Sequence, residues 1–479
     1  MITPGETVPE PRIGRNRGSV PSIDVAIIGG GVVGCATARQ FALMGASVIL
    51  VESSTDILAG ASKGNSALLH TGFDAPASSL ELRLIQRGYR EFRAIRERLN
   101  LPLLNTGALV VAWSEAQRAR LEELRLQALD NGVEDIELLD PSDVLCREPA
   151  LSNNLHGALL VPGEGVVDSW STPLAYLTQA IAHGAEAWFS AEVLSGEFDG
   201  RFWTLTTARG PLRAKYVINC AGLYGDVVEE RCLGDASFQI RPRKGQFVVF
   251  DKPAARLLSA IILPVPSEQT KGVVVARTIY GNVLAGPTAE DQPDRDRATV
   301  EHDVLQGLIA KAVQIIPALQ NMQVTAAYAG LRPASDRKEY RVRSDLARHW
   351  LTLGGIRSTG LTASLGLASY AAELLDRGPW SAAPSPEPIW TPVPNLAEHL
   401  PRDWQIPGYG EIVCHCELVT RREIDRTFTS ALPPGNVGGL RRRTRAAMGR
   451  CQGFYCGAEL AALAESRFPT PASIDHRNE

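Results

Sequence analysis

The chain has 479 residues, 44% of them apolar and 21% charged, and a formal net charge of −4. This length exceeds one ordinary domain, and the weak negative charge offers no general attraction to nucleic acid. Residues 1–21 are polar and lack the apolar core of a signal peptide, so we expect a disordered tail. The apolar stretch 24–51 is interrupted by five glycines and by Arg39, so we expect no membrane span.

The first predicted elements are a strand from Asp24, a glycine turn, a helix over 32–44 and a second strand over 47–52. The turn has the pattern G-x-G-x-x-G, formed by Gly29, Gly31 and Gly34. In this pattern the glycines allow a tight turn, close approach of a pyrophosphate to the backbone, and close packing of helix on strand. The first helical turn, at Val32 and Val33, offers its N–H groups to the phosphates.

A carboxylate and three further turns extend this predicted nucleotide site. Glu52 ends the second strand, 18 residues after Gly34, where it can accept hydrogen bonds from a ribose. Turns rich in glycine or small polar residues recur at 62–66, 221–222 and 354–360. Each alone would be an ordinary turn, but together they suit a long, buried dinucleotide, and we predict FAD rather than NAD. The further predicted contacts are Ser62, Asn65, Ser66, Val193, Ala221, Gly222, Gly355, Gly360, Leu361 and Thr362.

Helix and strand signals alternate through the middle of the chain. An apolar stripe predicts a helix over 80–99, and Thr172 followed by Pro173 predicts the start of a helix that Gly184 ends. The remaining predicted elements are helices over 300–315 and 362–377 and strands over 202–208, 216–219, 246–250, 273–276 and 282–285. This pattern predicts an α/β fold with a part richer in strands.

Proline marks the boundary of a C-terminal module. Eight prolines fall between Pro379 and Pro407. Proline removes a backbone donor and blocks helices, so 379–407 is predicted to be an extended, proline-rich connector. It separates the main body from a module over 408–479.

The C-terminal module concentrates half of the chain's eight cysteines within 43 positions. The pairs Cys-x-Cys and Cys-x-x-x-x-Cys can form a four-sulfur site for an iron–sulfur cluster or for zinc. This cysteine usage favours a reducing, cytoplasmic compartment. The arginine-rich run 441–450 is expected to be a solvated helix face, or else to dock an acidic electron partner or stabilise a reduced cluster. The predicted ligands are Cys414, Cys416, Cys451 and Cys456.

Several segments of the body resemble the FAD-dependent D-amino-acid oxidase superfamily. They are Val25-Ala-Ile-Ile-Gly-Gly-Gly-Val-Val-Gly, Leu68-Leu-His-Thr-Gly-Phe, Ile218-Asn-Cys-Ala-Gly-Leu-Tyr and Gly355-Ile-Arg-Ser-Thr-Gly-Leu-Thr-Ala-Ser. Segments beginning at Arg241, Thr278 and Ala329 resemble the branch of glycerol-3-phosphate dehydrogenases and oxidases and L-2-hydroxyglutarate dehydrogenases. The resemblance covers about residues 23–376.

This resemblance implies two interleaved domains. The Rossmann-type FAD-binding domain would take about 22–80, 160–235 and 336–378. The β-rich substrate domain would take about 81–159 and 236–335. The expected fold class is therefore α/β with an α+β part, followed by a small, mainly helical C-terminal domain.

The resemblance also implies four catalytic candidates. His70 is the candidate base, because a neutral imidazole suits proton abstraction near pH 7. Arg332 matches a position that clamps a carboxylate or phosphate, and Lys271 matches a lysine near the active site of the glycerol-phosphate branch. Ser358 is placed to hydrogen-bond substrate or flavin. The alternatives are a core or cofactor-positioning histidine, a structural arginine, a surface lysine and a loop-capping serine.

The cysteine module resembles the bacterioferritin-associated ferredoxin-like [2Fe–2S] domain, which also ends the large subunit of anaerobic glycerol-3-phosphate dehydrogenases. The combined resemblances imply a dehydrogenase for a small anionic secondary alcohol, most simply sn-glycerol 3-phosphate. Electrons would pass through FAD and the cluster to a protein or quinone acceptor, and partner subunits are also implied. The alternatives are an L-2-hydroxyglutarate dehydrogenase, an amino acid or opine oxidase subunit, and a cluster-carrying scaffold subunit.

Overall fold

A computed structural model describes residues 22–266, 272–375, 380–465 and 467–468. The predicted tail over 1–21 lies outside these described residues. The helices of the described ranges are α1 Val32–Leu43, α2 Leu80–Ile95, α3 Glu115–Asp130, α4 Pro141–Arg147, α5 Ser171–Ala182, α6 Gly225–Leu233, α7 His302–Ile315, α8 Gly360–Leu374, α9 Arg421–Phe428, α10 Val437–Thr444 and α11 Gly457–Ala464. The strands are β1 Ser22–Ile28, β2 Val48–Val51, β3 Leu68–Leu69, β4 Leu103–Leu104, β5 Ala108–Ala112, β6 Glu137–Leu139, β7 Gly157–Val161, β8 Gly165–Val167, β9 Glu186–Trp188, β10 Val193–Phe198, β11 Trp203–Thr207, β12 Gly210–Asn219, β13 Arg243–Phe250, β14 Ile261–Pro264, β15 Val274–Arg277, β16 Val283–Gly286, β17 Glu290–Asp291, β18 Val324–Arg332, β19 Arg341–Asp345, β20 Trp350–Gly354, β21 Ile412–Cys414 and β22 Val419–Thr420.

The first sheet is the doubly wound sheet that the sequence predicts. Five strands run parallel in the order β9-β2-β1-β12-β20, and β10, β11 and β19 join by antiparallel pairing. The four residues of β2 are all buried, as expected for a parallel strand covered on both faces. Helix α1 packs against α5 and α8, and α2 packs against α8. The predicted Rossmann-type fold is confirmed.

Helix α5 begins differently from the prediction. Its first residue is Ser171, and the Asp168 carboxylate accepts the N–H groups of Trp170 and Ser171, each at 2.9 Å. Thr172 lies inside the first turn and donates its hydroxyl to the Asp168 carbonyl at 2.6 Å. The predicted cap at Thr172 is therefore wrong, because an aspartate upstream of the helix satisfies the exposed N–H groups first.

The second sheet is largely antiparallel and carries the other half of the body. Its strands follow the order β17-β13-β16-β15-β14-β5-β7-β6, and β18 pairs with β13 along eight register positions. Residues such as Leu109, Val248 and Ile262 form its buried core, and α7 packs against this sheet. The sheet places the end of β18 next to the nucleotide-binding domain.

The proline-rich connector lies along the body. From Trp380 to Arg402 it has neither helix nor strand, and a short 3₁₀ helix, Asp403–Gln405, follows. Its backbone nevertheless bonds to the body, since Val393 donates to the Leu99 carbonyl at 3.1 Å and Glu398 to the Ile279 carbonyl at 3.0 Å. These contacts carry the chain across the body to the C-terminal module.

The C-terminal module is a short hairpin, β21 and β22, followed by three helices, α9 to α11. Its small core includes Val413, Ile424 and Leu440. Thr420 caps α9 by accepting the Glu423 N–H at 3.0 Å. The Glu423 side chain faces Arg402 of the connector at 3.6 Å, so the module is bonded to the chain that leads into it.

Candidate functional site

Two glycines of the turn after β1 have no room for a side chain. Gly29 has φ +109°, and a Cβ there would lie 2.6 Å from the Cys220 carbonyl oxygen. A Cβ on Gly34 would lie 1.9 Å from the Gly29 carbonyl oxygen. Glycine is therefore required at both positions, one for the turn and one for the close packing of α1 on β1.

Helix α1 begins directly after the glycine turn. Gly31 precedes the helix and makes no side-chain capping bond, and a Cβ there would meet only the Ser62 hydroxyl, at 3.2 Å. Ser62 itself accepts the Val32 N–H at 3.1 Å. The first-turn N–H groups of a helix have no partner within the helix, so this end suits an anion. These residues fit the pyrophosphate of FAD.

Glu52 forms hydrogen bonds to the glycine turn after β1. Its carboxylate accepts the Gly30 N–H at 2.6 Å and the Ser54 N–H at 2.9 Å. The Ser53 hydroxyl also donates to it, at 3.1 Å. A carboxylate has about four acceptor positions, so these three bonds leave capacity for one ribose hydroxyl. The predicted ribose contact of Glu52 stays a prediction.

Three predicted cofactor turns follow neighbouring parallel strands. The Gly29 turn follows β1, Ala221 and Gly222 follow β12, and Gly355 follows β20. The first two turns touch, because the Cys220 N–H donates to the Ile28 carbonyl at 2.8 Å. Ligands of such sheets bind in the crevice outside the carboxyl ends of the strands.

The remaining predicted cofactor residues lie in three places. Gly360, Leu361 and Thr362 form the first turn of α8, and the Thr362 hydroxyl accepts the His70 N–H at 3.1 Å. Asn65 and Ser66 precede β3, and the Asn65 side chain accepts the Ala67 N–H at 2.7 Å. Val193 begins β10 and is buried in the apolar cluster of the first sheet.

His70 is held by an acid that the sequence did not reveal. Its Nδ1 lies 2.9 Å from a carboxylate oxygen of Glu164, a residue that is only 1% exposed. The other carboxylate oxygen accepts the Thr71 N–H and hydroxyl, at 2.6 and 2.8 Å. Glu164 lies in a Gly-Glu-Gly turn before β8, where no local pattern marks it as functional. This arrangement orients the imidazole and favours a proton on Nδ1.

Arginine side chains gather at the end of β18. Burial lowers the pKa of Arg332 to about 10, and the neighbouring Arg243 and Arg357 add to the effect. Arg332 donates to the Thr288 carbonyl at 3.0 Å. In the described ranges, no carboxylate oxygen lies within 4.0 Å of a guanidinium nitrogen of Arg332 or Arg357. Arg357, which the sequence analysis did not select, contributes to this cationic cluster.

The arginine cluster lies close to one of the predicted cofactor turns, residues 62–66. Gly330, two residues before Arg332, packs on Gly64, since a Cβ on Gly64 would lie 2.8 Å from the Gly330 Cα. Ser358 follows Arg357 and is exposed in the loop before α8. Lys271 lies outside the described residues. The fold thus brings the 62–66 turn and the end of β18 together.

The four module cysteines lie in two pairs. The side chains of Cys416 and Cys451 are within hydrogen-bonding reach, and so are those of Cys414 and Cys456. No three metal-ligating side chains converge as a single-ion site requires, among the residues that the structure describes. Two pairs suit a two-iron cluster, which takes two thiolates on each iron, better than the zinc alternative.

The chain around these cysteines is shaped for thiolates. The N–H groups of Tyr455, Gly453 and Phe454 face the Cys451 sulfur and lower the pKa of its thiol. A Cβ on Gly449 would lie 2.4 Å from the Cys416 Cβ, so glycine lets the loop approach this cysteine. The donor set and these N–H groups fit a [2Fe–2S] cluster.

The arginine run 441–450 is largely engaged with the chain itself. Arg443 forms two bonds to Asp56 of the body, and Arg445 bonds to Glu417 at 3.1 Å and lies over the Tyr280 ring at 4.1 Å. The expectation of a solvated helix face is wrong for these two buried arginines, because body and module residues satisfy their charges. They fasten the module to the body.

A glycine turn at a helix N-terminus, a parallel sheet and a four-cysteine module define a flavin-dependent oxidoreductase with an iron–sulfur module. The family of FAD dependent oxidoreductases matches residues 24–374, and the chain belongs to this family. The BFD-like [2Fe-2S] binding domain matches residues 412–466. FAD and a [2Fe–2S] cluster are therefore its cofactors. None of the helices in the described ranges combines the length and apolar character needed to cross a bilayer.

Similar proteins act on glycerol 3-phosphate. The chain is 31% identical to a glycerol 3-phosphate dehydrogenase of Caloramator mitchellensis, with 92% of this chain and 93% of that protein covered. It is 26% identical to one subunit of the anaerobic glycerol-3-phosphate dehydrogenase of Escherichia coli K12, with 92% and 88% covered. The FAD-bound L-α-glycerophosphate oxidase of Mycoplasma pneumoniae superposes with a TM-score of 0.71 at 28% identity, over 78% of this chain and 98% of that one.

Proposed function

We propose that this protein oxidises sn-glycerol 3-phosphate to dihydroxyacetone phosphate and delivers the electrons to an external acceptor. We infer the substrate from the cluster of Arg332, Arg357 and Arg243, which lies beside the predicted cofactor turn over residues 62–66. Two guanidinium groups without carboxylate partners suit a dianionic phosphate better than a single carboxylate, because each can form a forked pair of hydrogen bonds. The similar dehydrogenases and oxidase of glycerol 3-phosphate support the same substrate.

His70 removes the hydroxyl proton in this proposal. The Glu164 carboxylate bonds to Nδ1, which leaves the basic lone pair on Nε2. The same carboxylate stabilises the imidazolium that forms when the proton is taken. FAD, when bound, would supply the hydride acceptor, and the four module cysteines would hold a cluster that can take up electrons singly.

The electron exit lies at the exposed edge of the cysteine module. Phe454 and Tyr455, between two ligands, are 83% and 76% exposed, and their N–H groups face the Cys451 sulfur. A protein acceptor or a quinone can pack on these two rings. Partner subunits and a cytoplasmic location are parts of this proposal, the latter because thiolate ligands persist in a reducing compartment.

Anaerobic flavin bleaching tests the substrate. We expect glycerol 3-phosphate to bleach the flavin of the purified protein faster than L-2-hydroxyglutarate or glycine at equal concentration. Arg332→Met should raise the KM for glycerol 3-phosphate about 10- to 100-fold, since bonds to charged groups contribute about 1.5–3 kcal/mol. The matched control is Arg337→Met, at an exposed arginine on the following loop. Faster bleaching by L-2-hydroxyglutarate would assign the 2-hydroxy acid instead.

A further inference from the structure

The contact between module and body centres on a buried ion pair. Asp56, which follows β2, is 0% exposed, and its two carboxylate oxygens lie 2.7 and 2.8 Å from the guanidinium of Arg443 in α10. The Ile57 N–H at 2.7 Å and the Gly435 N–H at 3.2 Å add two further bonds to Asp56. Removing either partner of such a pair leaves a buried charge without compensation, which is strongly destabilising.

Helix α10 is shaped to fit the loop that carries Asp56. A Cβ on Gly439 would lie 1.6 Å from an Asp56 carboxylate oxygen, and one on Gly435 would lie 1.7 Å from the Thr55 carbonyl oxygen. Asn436, which caps α10, also donates its side-chain amide to the Thr55 hydroxyl at 2.8 Å. The module therefore packs closely on this loop because glycines leave room for it, and the Asp56–Arg443 ion pair adds a contact between charges.

The same loop holds the nucleotide turn from its other side. Glu52, just before the loop, accepts the Gly30 N–H at 2.6 Å, and the Leu58 N–H donates to the Gly30 carbonyl at 3.0 Å. Arg442 of α10 donates to the Ile57 carbonyl at 3.1 Å. Both backbone groups of Gly30 are thus bonded to one short segment, residues 52–58, and α10 packs on that segment.

We propose that the docked [2Fe–2S] module positions the FAD site, so that module docking and FAD binding favour each other. Release of α10 would free the 52–58 segment, and with it the bonds that fix Gly30 between Gly29 and Gly31. Asp56 and Arg443 are the positioning residues of this coupling. By thermodynamic linkage, FAD must strengthen docking by the same factor by which docking strengthens FAD binding. The inference concerns cofactor binding and is independent of the substrate.

Two adjacent glycines of α10 provide a matched test. Gly439→Ala places a methyl group against the Asp56 carboxylate, whereas a Cβ on Gly438 meets only Arg442 Nη1 and Asn436 Oδ1 within 4 Å, both at 3.2 Å. FAD is removed from the full, cluster-loaded chain and titrated back, with the quenching of its fluorescence as the readout. We expect the FAD Kd of Gly439→Ala to rise about tenfold, within the usual range of coupling between sites. For Gly438→Ala we expect a much smaller rise, because its methyl group meets only the ends of two side chains, which can shift. Equal affinities of the two variants would overturn the proposal.

Hydrogen exchange on the unaltered chain tests the reciprocal effect and does not depend on any variant folding. Amide exchange is measured over residues 435–444, with the cluster loaded, before and after FAD is added. We expect FAD to slow exchange in this segment, with no effect over α7, which lies on the far sheet. Unchanged exchange over 435–444 would contradict the coupling. Because no substrate is present, either result leaves the proposed reaction to its own test.

Discussion

The two proposed cofactor sites of this chain are built in opposite ways. The nucleotide site consists of backbone N–H groups and of glycines such as Gly29 and Gly34, where any side chain would collide with the backbone. The cluster site consists of four side-chain sulfurs in two pairs. The first site is therefore sensitive to atoms that are added, and the second to atoms that are removed.

Loss of one sulfur should have the largest effect. Cys451→Ser is expected to remove most of the cluster iron, because serine is a poor ligand for iron in a site built for thiolates. FAD should stay bound and bleach with glycerol 3-phosphate, while reduction of a one-electron acceptor falls sharply. Iron content and acceptor assays measure this. Cys146→Ser, at an exposed cysteine of the body, is the control. Full iron content in Cys451→Ser would remove this cysteine from the ligand set.

Substitutions at the proposed oxidation site should slow flavin reduction without releasing FAD or the cluster. His70→Ala is expected to slow flavin reduction by about 10²–10⁴-fold, the usual contribution of a general base. Glu164→Gln should slow it less and shift its pH profile, because the amide still bonds to Nδ1 but cannot stabilise an imidazolium. Stopped-flow absorbance on FAD-saturated protein gives both rates. Unchanged kinetics in His70→Ala would rule out the base.

Adding one methyl group should damage the nucleotide site. Gly34→Ala is expected to weaken FAD binding about 10- to 100-fold, since overpacking costs about 1–3 kcal/mol and the Gly29 carbonyl must move. The control Gly307→Ala lies in helix α7 with open space around it, and it should leave FAD binding unchanged. Fluorescence titration compares the two. Normal FAD affinity in Gly34→Ala would mean that the turn is not tightly packed against α1 in solution.

The smallest effect should be a pH dependence of the module. Burial raises the pKa of Glu423 to about 7, and the opposing effect of Arg402 does not cancel it. The folded module then binds more protons than the unfolded chain between about pH 4.5 and 7, so its stability falls as pH rises through this window. Glu423→Gln should flatten that slope. Thermal loss of cluster absorbance across the window measures it, and an equal slope in both proteins would show that another group titrates.

The sequence alone predicted those features that depend on residues close together in the chain. The glycine turn is constrained by local backbone conformation, and the cysteines are recognisable by spacing, so both could be placed before the fold was known. The predicted start of α5 is wrong because the Asp168 carboxylate accepts the N–H groups of Trp170 and Ser171, so the helix begins at Ser171, before Thr172. Thr172 is a good cap in isolation, and only the backbone geometry decides between the two.

Residues that act across long sequence separations could not be predicted. Glu164 meets His70 only because β8 pairs with β3, and its own turn is unremarkable in the sequence. Likewise, the sequence predicted that the arginine run could face solvent. The buried partner of Arg443 is Asp56, which lies 387 positions earlier, so no neighbouring residue indicates the pair. Charge and spacing identify such residues as polar, but tertiary packing assigns their partners.

Electron paramagnetic resonance of the anaerobic protein tests the central claim that one chain joins a flavin to an iron–sulfur relay. The protein is mixed with glycerol 3-phosphate in the absence of any acceptor and frozen. The account predicts that the signal of a reduced [2Fe–2S] cluster appears as the flavin absorbance falls. A bleached flavin beside a cluster that stays oxidised, although dithionite can reduce it, would contradict the account.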